Sequence, residues 1–172
     1  PAEGESLHQS RSNISKLIGG KDTPLVSLVV IAYNRLDKTR NCVESILKYT
    51  DPADYELILV DNGSEAGIVE YFKSVPLKNK KIIQITKNLQ MPFAVIKGFQ
   101  ACSGQYLAPI NNDNIVTENW LKNIMACFQA DSKVGMVCTM ASNVSNLQDA
   151  QLEFRSLEEM QEKAKLYNVS DP

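Results

Sequence analysis

Val26-Ser27-Leu28-Val29-Val30-Ile31-Ala32, running into Tyr33-Asn34-Arg35, decides how the rest of the chain is read. The run is apolar and β-branched without alternation, the pattern of a strand buried on both faces. Such strands belong to parallel sheets covered by helices, so helical periodicity should follow. Leu36, Val43, Ile46 and Leu47 then fall at helical spacing. Tyr55-Glu56-Leu57-Ile58-Leu59-Val60 reads as a second buried strand, stopped by Asp61-Asn62-Gly63-Ser64.

The alternation continues outward. Ile68, Tyr71 and Phe72 mark a short helix, and Lys81–Ile85 a third strand. Pro92 suits the first turn of a helix carrying Phe93, Ile96 and Phe99. Tyr106–Ile110 is a fourth strand whose Pro109 cannot donate to a ladder, so one edge there is irregular. Thr117 is placed to cap a helix with Trp120, Leu121, Ile124, Met125 and Phe128 on its apolar side. Val134–Cys138 reads as a fifth strand, and Ser156-Leu157-Glu158-Glu159 as a capping box opening a last helix. Strands alternating with helices imply right-handed crossovers and an α/β fold, a mostly parallel open sheet with helices on both faces.

Three segments are expected. Residues 1–22 are a polar, flexible lead-in with a short helix around Ile14–Ile18, residues 23–145 the core, and residues 146–172 a C-terminal helical segment. Net charge is -2, and no Lys/Arg run could track a phosphate backbone, so nucleic acid is not expected as a partner. The longest apolar run, Leu25–Tyr33, is far short of the roughly 20 residues that cross a bilayer. The single histidine, His8, leaves no material for a serine-hydrolase triad or a histidine zinc site. Cys42, Cys102, Cys127 and Cys138 lie in apolar patterns with no C-x-x-C pair, which suits buried thiols.

In open α/β sheets, ligands bind outside the carboxyl ends of the strands. Those ends read Ala32-Tyr33-Asn34-Arg35, Asp61-Asn62-Gly63-Ser64, Asn88 and Asn111-Asn112-Asp113-Asn114. A rim of acids and amides can hydrogen-bond a base and a ribose, and can set a carboxylate beside a metal-bound diphosphate. Each feature also has a plainer reading: Asp61 before Asn62-Gly63 is ordinary turn chemistry, and Asn111-Asn112-Asp113 could be an Asn-rich turn. No G-x-G-x-x-G, P-loop or G-x-S-x-G motif is present, which excludes dinucleotide cofactors, P-loop nucleotidases and α/β-hydrolases.

In order and spacing, three stretches resemble family 2 of the inverting glycosyltransferases, with its GT-A fold. They are Val26–Arg35, Leu57–Ser64, and Gly104–Leu107 through Ile110–Asp113 with Trp120-Leu121. The resemblance covers residues 24 to 140. It implies a nucleotide-diphosphate sugar donor, with a UDP-sugar as first choice, and inverting transfer to a glycan or other hydroxyl acceptor. Asp61 matches the acid that binds the base, Ala32, Tyr33, Asn34 and Arg35 the loop against base and ribose, and Asn112 the ribose contact. Asp113 matches the carboxylate that holds Mg²⁺ or Mn²⁺. Asn62 and Asn88 complete the donor-side set, although Gln90 and Ile96 stand where the family has glycine and asparagine.

In this family the general base and acceptor site come from a second half. Here the pattern fades after Met140, and Glu158, Glu159 and Glu162 read as a solvated helix start, so no catalytic base is assigned. The chain is expected to be a truncated enzyme part, with apolar surface that favours self-association. The alternative is a non-catalytic nucleotide-sugar-binding or assembly domain. A sugar-phosphate nucleotidyltransferase is disfavoured, since no Gly-rich basic loop follows the first strand. The Asn62-Gly63-Ser64 triplet lies in the proposed pocket, where a glycan would block the donor, so a cytoplasmic location is expected.

Overall fold

The computed structural model describes residues 25–65, 67–142, 144 and 148–168. His8 and the helix expected around Ile14–Ile18 lie outside them. Four strands form one parallel sheet: β1 (Val26–Ala32), β2 (Tyr55–Asn62), β3 (Lys80–Ile85) and β4 (Tyr106–Asn111), in the order β3-β2-β1-β4. Among the described residues five helices accompany them: α1 (Leu36–Tyr49), α2 (Ile68–Ser74), α3 (Met91–Phe99), α4 (Trp120–Ala130) and α5 (Leu157–Tyr167).

Burial follows sheet position. Every residue of β1 and β2, the central strands, is buried. The edge strands β3 and β4 are only partly covered. Val29, Ile31, Ile58 and Val60 pack against Ala94 of α3 on one face. Leu28, Val30, Leu57 and Leu59, which alternate with them, are equally buried on the other. Gly98 permits the close approach of α3, because a Cβ there would meet Val29 Cγ1 at 2.3 Å. Pro109 lies on edge strand β4, where a missing donor is tolerated.

The chain divides into two compact units. One holds β1 to β4 with α2, α3 and the first part of α1; the other holds residues 45–50 and the chain from Ile115 onward. Within the second, Val116 N–H donates to Ser45 Oγ at 3.0 Å, Trp120 Nε1 to Thr50 Oγ1 at 2.9 Å, and Gln161 Nε2 to Val116 O at 3.1 Å. Met160 and Ala164 form the buried side of α5.

Two expectations are corrected here. Val134–Cys138 is not a strand: the segment is irregular and Met136 is 80% exposed. An apolar run becomes a strand only when another strand offers its backbone, and among the described residues none does. Thr117 does not cap α4. The cap position is Asn119 in a left-handed conformation (φ 64°), and the Thr117 hydroxyl accepts from Asn168 Nδ2 instead. The capping box of α5 does form, with Glu159 N–H donating to Ser156 Oγ at 3.2 Å. Its return arm lands one residue early, as Arg155 N–H donates to Glu159 Oε2 at 2.8 Å.

Candidate functional site

Parallel register brings the predicted rim residues together. Ala32 pairs with Asp61 and Ile31 with Asn111, so β1, β2 and β4 end at one level. Tyr33, Asn34, Asp61, Asn112 and Asp113 therefore follow or close adjacent strands. Tyr33 is 47% exposed, an aromatic face open at the rim.

A hydrogen-bond chain stitches the three strand ends. Ser64 N–H donates to Asp61 Oδ1 at 2.9 Å, and Asn34 N–H donates to Ser64 Oγ at 2.8 Å. Glu65 N–H returns to Asn34 Oδ1 at 3.0 Å. Asn112 Nδ2 donates to Thr39 Oγ1 at 2.8 Å and reaches Asn34 O at 3.4 Å. Asn34 is the hub, bonded through its N–H, its side-chain oxygen and its carbonyl. It can hold this place because asparagine tolerates the left-handed region: Asn34 has φ 53° and Arg35, which follows, φ 55°.

Asp61 is 2% exposed. The turn role and the ligand role coexist in it: Oδ1 closes the Asp61–Ser64 turn, while Oδ2 has no donor among the described residues. Oδ2 is not among the buried unpartnered side-chain atoms of the described residues, which are Tyr55 Oη and Gln161 Oε1, so this oxygen opens to the rim.

Asn62 and Asn88 are engaged with each other. Asn62 Nδ2 donates to Asn88 Oδ1 at 3.2 Å, and Asn62 Oδ1 accepts from Leu89 N–H at 3.0 Å. Asn88 Oδ1 also accepts from Gln90 N–H at 2.7 Å. Both ends of the Asn62 amide are thus turned to the β3–α3 loop, and Asn62 is 3% exposed. Gly63 (φ 82°) is required between them, since a Cβ would meet Asn88 N at 2.5 Å. Gln90, at the position where the family has glycine, has φ 68° and ψ 161°, a region all but reserved for glycine. Further along this segment, Ala94 and Gly98 are packing residues.

Asp113 is exposed and has no protein partner among the described residues. No group of three or more His, Cys, Asp or Glu residues able to hold a metal occurs among them. Beneath the rim, Cys42 is buried, its Sγ 3.5 Å from Asn111 O; burial, and then the Asp113 charge, push its thiol up to about 12. It is an inert core thiol, as its apolar setting suggested. Cys127 and Cys138, by contrast, are exposed, against the expectation of buried thiols.

Two residues to which the sequence patterns assign no role hold the sheet ends in place, Thr39 at the rim and Glu56 at the far end. Thr39, fully buried in the first turn of α1, accepts from Asn112 and donates to Arg35 O at 3.0 Å. Glu56, 1% exposed at the opposite end of the sheet, anchors the start of β4. Its Oε1 accepts from Ser27 Oγ at 2.6 Å, Ser103 Oγ at 2.8 Å and Gly104 N–H at 3.2 Å. Lys81 Nζ lies 2.9 Å from its Oε2. A charged residue inside an otherwise apolar strand was the available signal.

With this geometry in view, comparison with known proteins is informative. The family model for glycosyl transferase family 2 matches residues 27–171. An uncharacterized glycosyltransferase, MJ1057 of Methanocaldococcus jannaschii, is 31% identical over 102 residues, which cover 58% of this chain and 35% of that protein. Glycosyltransferase AglE of Haloferax volcanii is 30% identical over 103 residues, covering 58% and 34%. The uncharacterized protein y4gI of Sinorhizobium fredii is 30% identical over 111 residues, or 62% of this chain and 12% of that protein. The chain thus spans about a third or less of these relatives' lengths. Among solved structures, Staphylococcus aureus TarS 1-349 superposes with a TM-score of 0.57 at 18% identity, covering 67% of this chain and 39% of that one, which shows a shared fold. No helix among the described residues is long and apolar enough to cross a membrane.

Proposed function

We propose that this chain, which belongs to glycosyl transferase family 2, forms the donor side of a glycosyltransferase and binds a nucleotide-diphosphate sugar at the rim of β1, β2 and β4. The observation that carries the reading is Asp61, a carboxylate at the end of β2 that is 2% exposed, with Oδ1 held by Ser64 N–H and Oδ2 open at the rim. A base N–H, as in uracil, supplies the missing donor. Tyr33 offers a face for stacking, and the Oδ1 of Asn112 is an acceptor suited to a ribose hydroxyl. The donor of first choice is a UDP-sugar, transferred with inversion.

The donor set around Asp113 fits a hard cation held jointly with a ligand. One carboxylate is too few to fix Mg²⁺ or Mn²⁺ alone, but enough when phosphate oxygens and water complete the shell. Bound there, the cation would stabilise charge on the diphosphate leaving group. The described residues suggest no general base. Glu159 pairs with Lys163 at 2.8 Å and Glu162 with Lys165 at 2.9 Å, as a solvated helix surface does. We place that base, and the acceptor site, in the portion of the relatives that this chain does not span.

Calorimetry with UDP tests the reading. Asp61→Ala should weaken binding by about 1–3 kcal/mol. Mn²⁺ should tighten UDP binding to the wild type and have no effect on Asp113→Ala. Unchanged affinity in Asp61→Ala, or equal affinity with and without metal in both proteins, would refute the respective assignment.

A further inference from the structure

We infer that Thr39 is a positioning residue that fixes the Asn112 amide with its oxygen toward the ligand. The inference rests on the nucleotide-binding reading above. The direction of the amide follows from its neighbours. The Thr39 hydroxyl donates to Arg35 O at 3.0 Å, so its oxygen has lone pairs to offer and no second proton. Asn34 O, 3.4 Å away, is an acceptor only. The atom of Asn112 that meets both must be a donor, the Nδ2 group at 2.8 Å from Thr39 Oγ1. Oδ1 is left as the only end of the amide without a partner among the described residues.

Thr39 is itself rigid. It is fully buried, β-branched, and tied by both its N–H and its hydroxyl to Arg35 O at 3.0 Å. Arg35 O is in turn set by the left-handed pair Asn34 and Arg35. The start of α1 therefore dictates the rotamer of a side chain that follows β4. The neutral Asn112 presents a carbonyl-type acceptor in one orientation, leaving Asp113 as the only charged group of the Asn111-Asn112-Asp113 motif.

Side-chain amide NMR on the ligand-free chain reads the pair directly, with the Asn112 signals assigned by their loss in Asn112→Ala. The Nδ2 protons should exchange with solvent roughly tenfold more slowly than those of exposed Asn41, the protection of about one hydrogen bond. Thr39→Val should remove that protection and Thr39→Ser should keep it. In calorimetry with UDP and Mg²⁺, Thr39→Val should weaken binding about five- to tenfold and Thr39→Ser less than about twofold. In an Asn112→Ala background, Thr39→Val should add less than about twofold, because nothing remains to be oriented. Wild-type protons that exchange at the Asn41 rate would overturn the inference even if Thr39→Val does not fold. So would an equal effect of Thr39→Val with and without Asn112. Amide protection that depends on Thr39 in a protein that does not bind UDP would support the pair and refute the nucleotide reading.

Discussion

Replacing Glu56 by glutamine should destabilise the protein in a manner that depends on pH, and the structure sets the size. Burial alone would raise the Glu56 pKa. The bonds from Ser27, Lys81 and Ser103 outweigh it and hold the carboxyl down to about 2, against an ordinary 4.5. The difference corresponds to roughly 3 kcal/mol favouring the ionised native state at neutral pH. Because the folded pKa is the lower one, this stability is fully present above about pH 5 and fades as pH falls toward 2. The same relation leaves roughly 1 kcal/mol at pH 3, so about 2 kcal/mol is lost on the way down. Glu56→Gln removes the charge and turns an N–H₂ group toward either Lys81 or the Ser103-Gly104 donors. It should therefore cost about 2–3 kcal/mol at pH 7 and much less at pH 3. Urea denaturation of both proteins at pH 7, 5, 4 and 3 measures the difference, in which the other carboxylates cancel. A gap that stays constant from pH 7 to pH 3 would refute the assignment of an ionised, multiply bonded Glu56.

Three shorter tests bear on the rim and its support. Gln90→Gly should stabilise the chain by about 1–2 kcal/mol, read as a higher urea midpoint, by relieving the backbone at φ 68° and ψ 161°; a lower midpoint would show that the conformation is not strained. Gly98→Ala should destabilise by about 1–3 kcal/mol, because its Cβ would sit 2.3 Å from Val29 Cγ1; a neutral thermal melt would contradict the close packing of α3. Tyr33→Ala should weaken UDP binding by about 1–3 kcal/mol in calorimetry if the ring stacks on the base, and an unchanged affinity would remove Tyr33 from the site.

The central sheet was legible because burial on both faces leaves an uninterrupted mark. Val26–Ala32 and Tyr55–Val60 are apolar runs that no surface strand would carry, and they became β1 and most of β2. Val134–Cys138 looks alike by composition, yet composition cannot say whether a neighbouring strand is there to pair with it. Thr117 and Asn119 posed a different problem. The threonine two residues upstream is a capable cap by propensity, but its hydroxyl is engaged by Asn168, some 51 residues later in the chain. Local preference yields there to a tertiary partner. Thr39 carried no local signal of its role, because it acts on Asn112, 73 positions away, and the charge of Glu56 marked it as unusual without naming partners such as Ser103, 47 positions away.

The choice of amides over acids at the rim has a physical consequence of its own. Asn34, Asn62, Asn88 and Asn112 each use an amide group to bind another loop: Asn34 and Asn88 accept through the oxygen, Asn112 donates through the nitrogen, and Asn62 does both. A carboxylate at position 62 could not donate to Asn88 while accepting from Leu89. One at position 112 would set a negative charge against Asn34 O and rely on the Thr39 hydroxyl turning away from Arg35 O. The amides thus close the rim without accumulating charge. Asp61, near the end of β2, is a buried acid, and Asp113, just after β4, an exposed one. Two carboxylates kept apart in this way can meet different parts of one ligand. The buried one suits a directional hydrogen bond to a neutral ring, where low dielectric strengthens a single well-placed donor. The exposed one suits a cation that must arrive and leave with an anionic partner, because a lone solvated carboxylate binds it weakly without that partner. Metal affinity at this rim should therefore depend on nucleotide, and nucleotide affinity on metal, by the same factor.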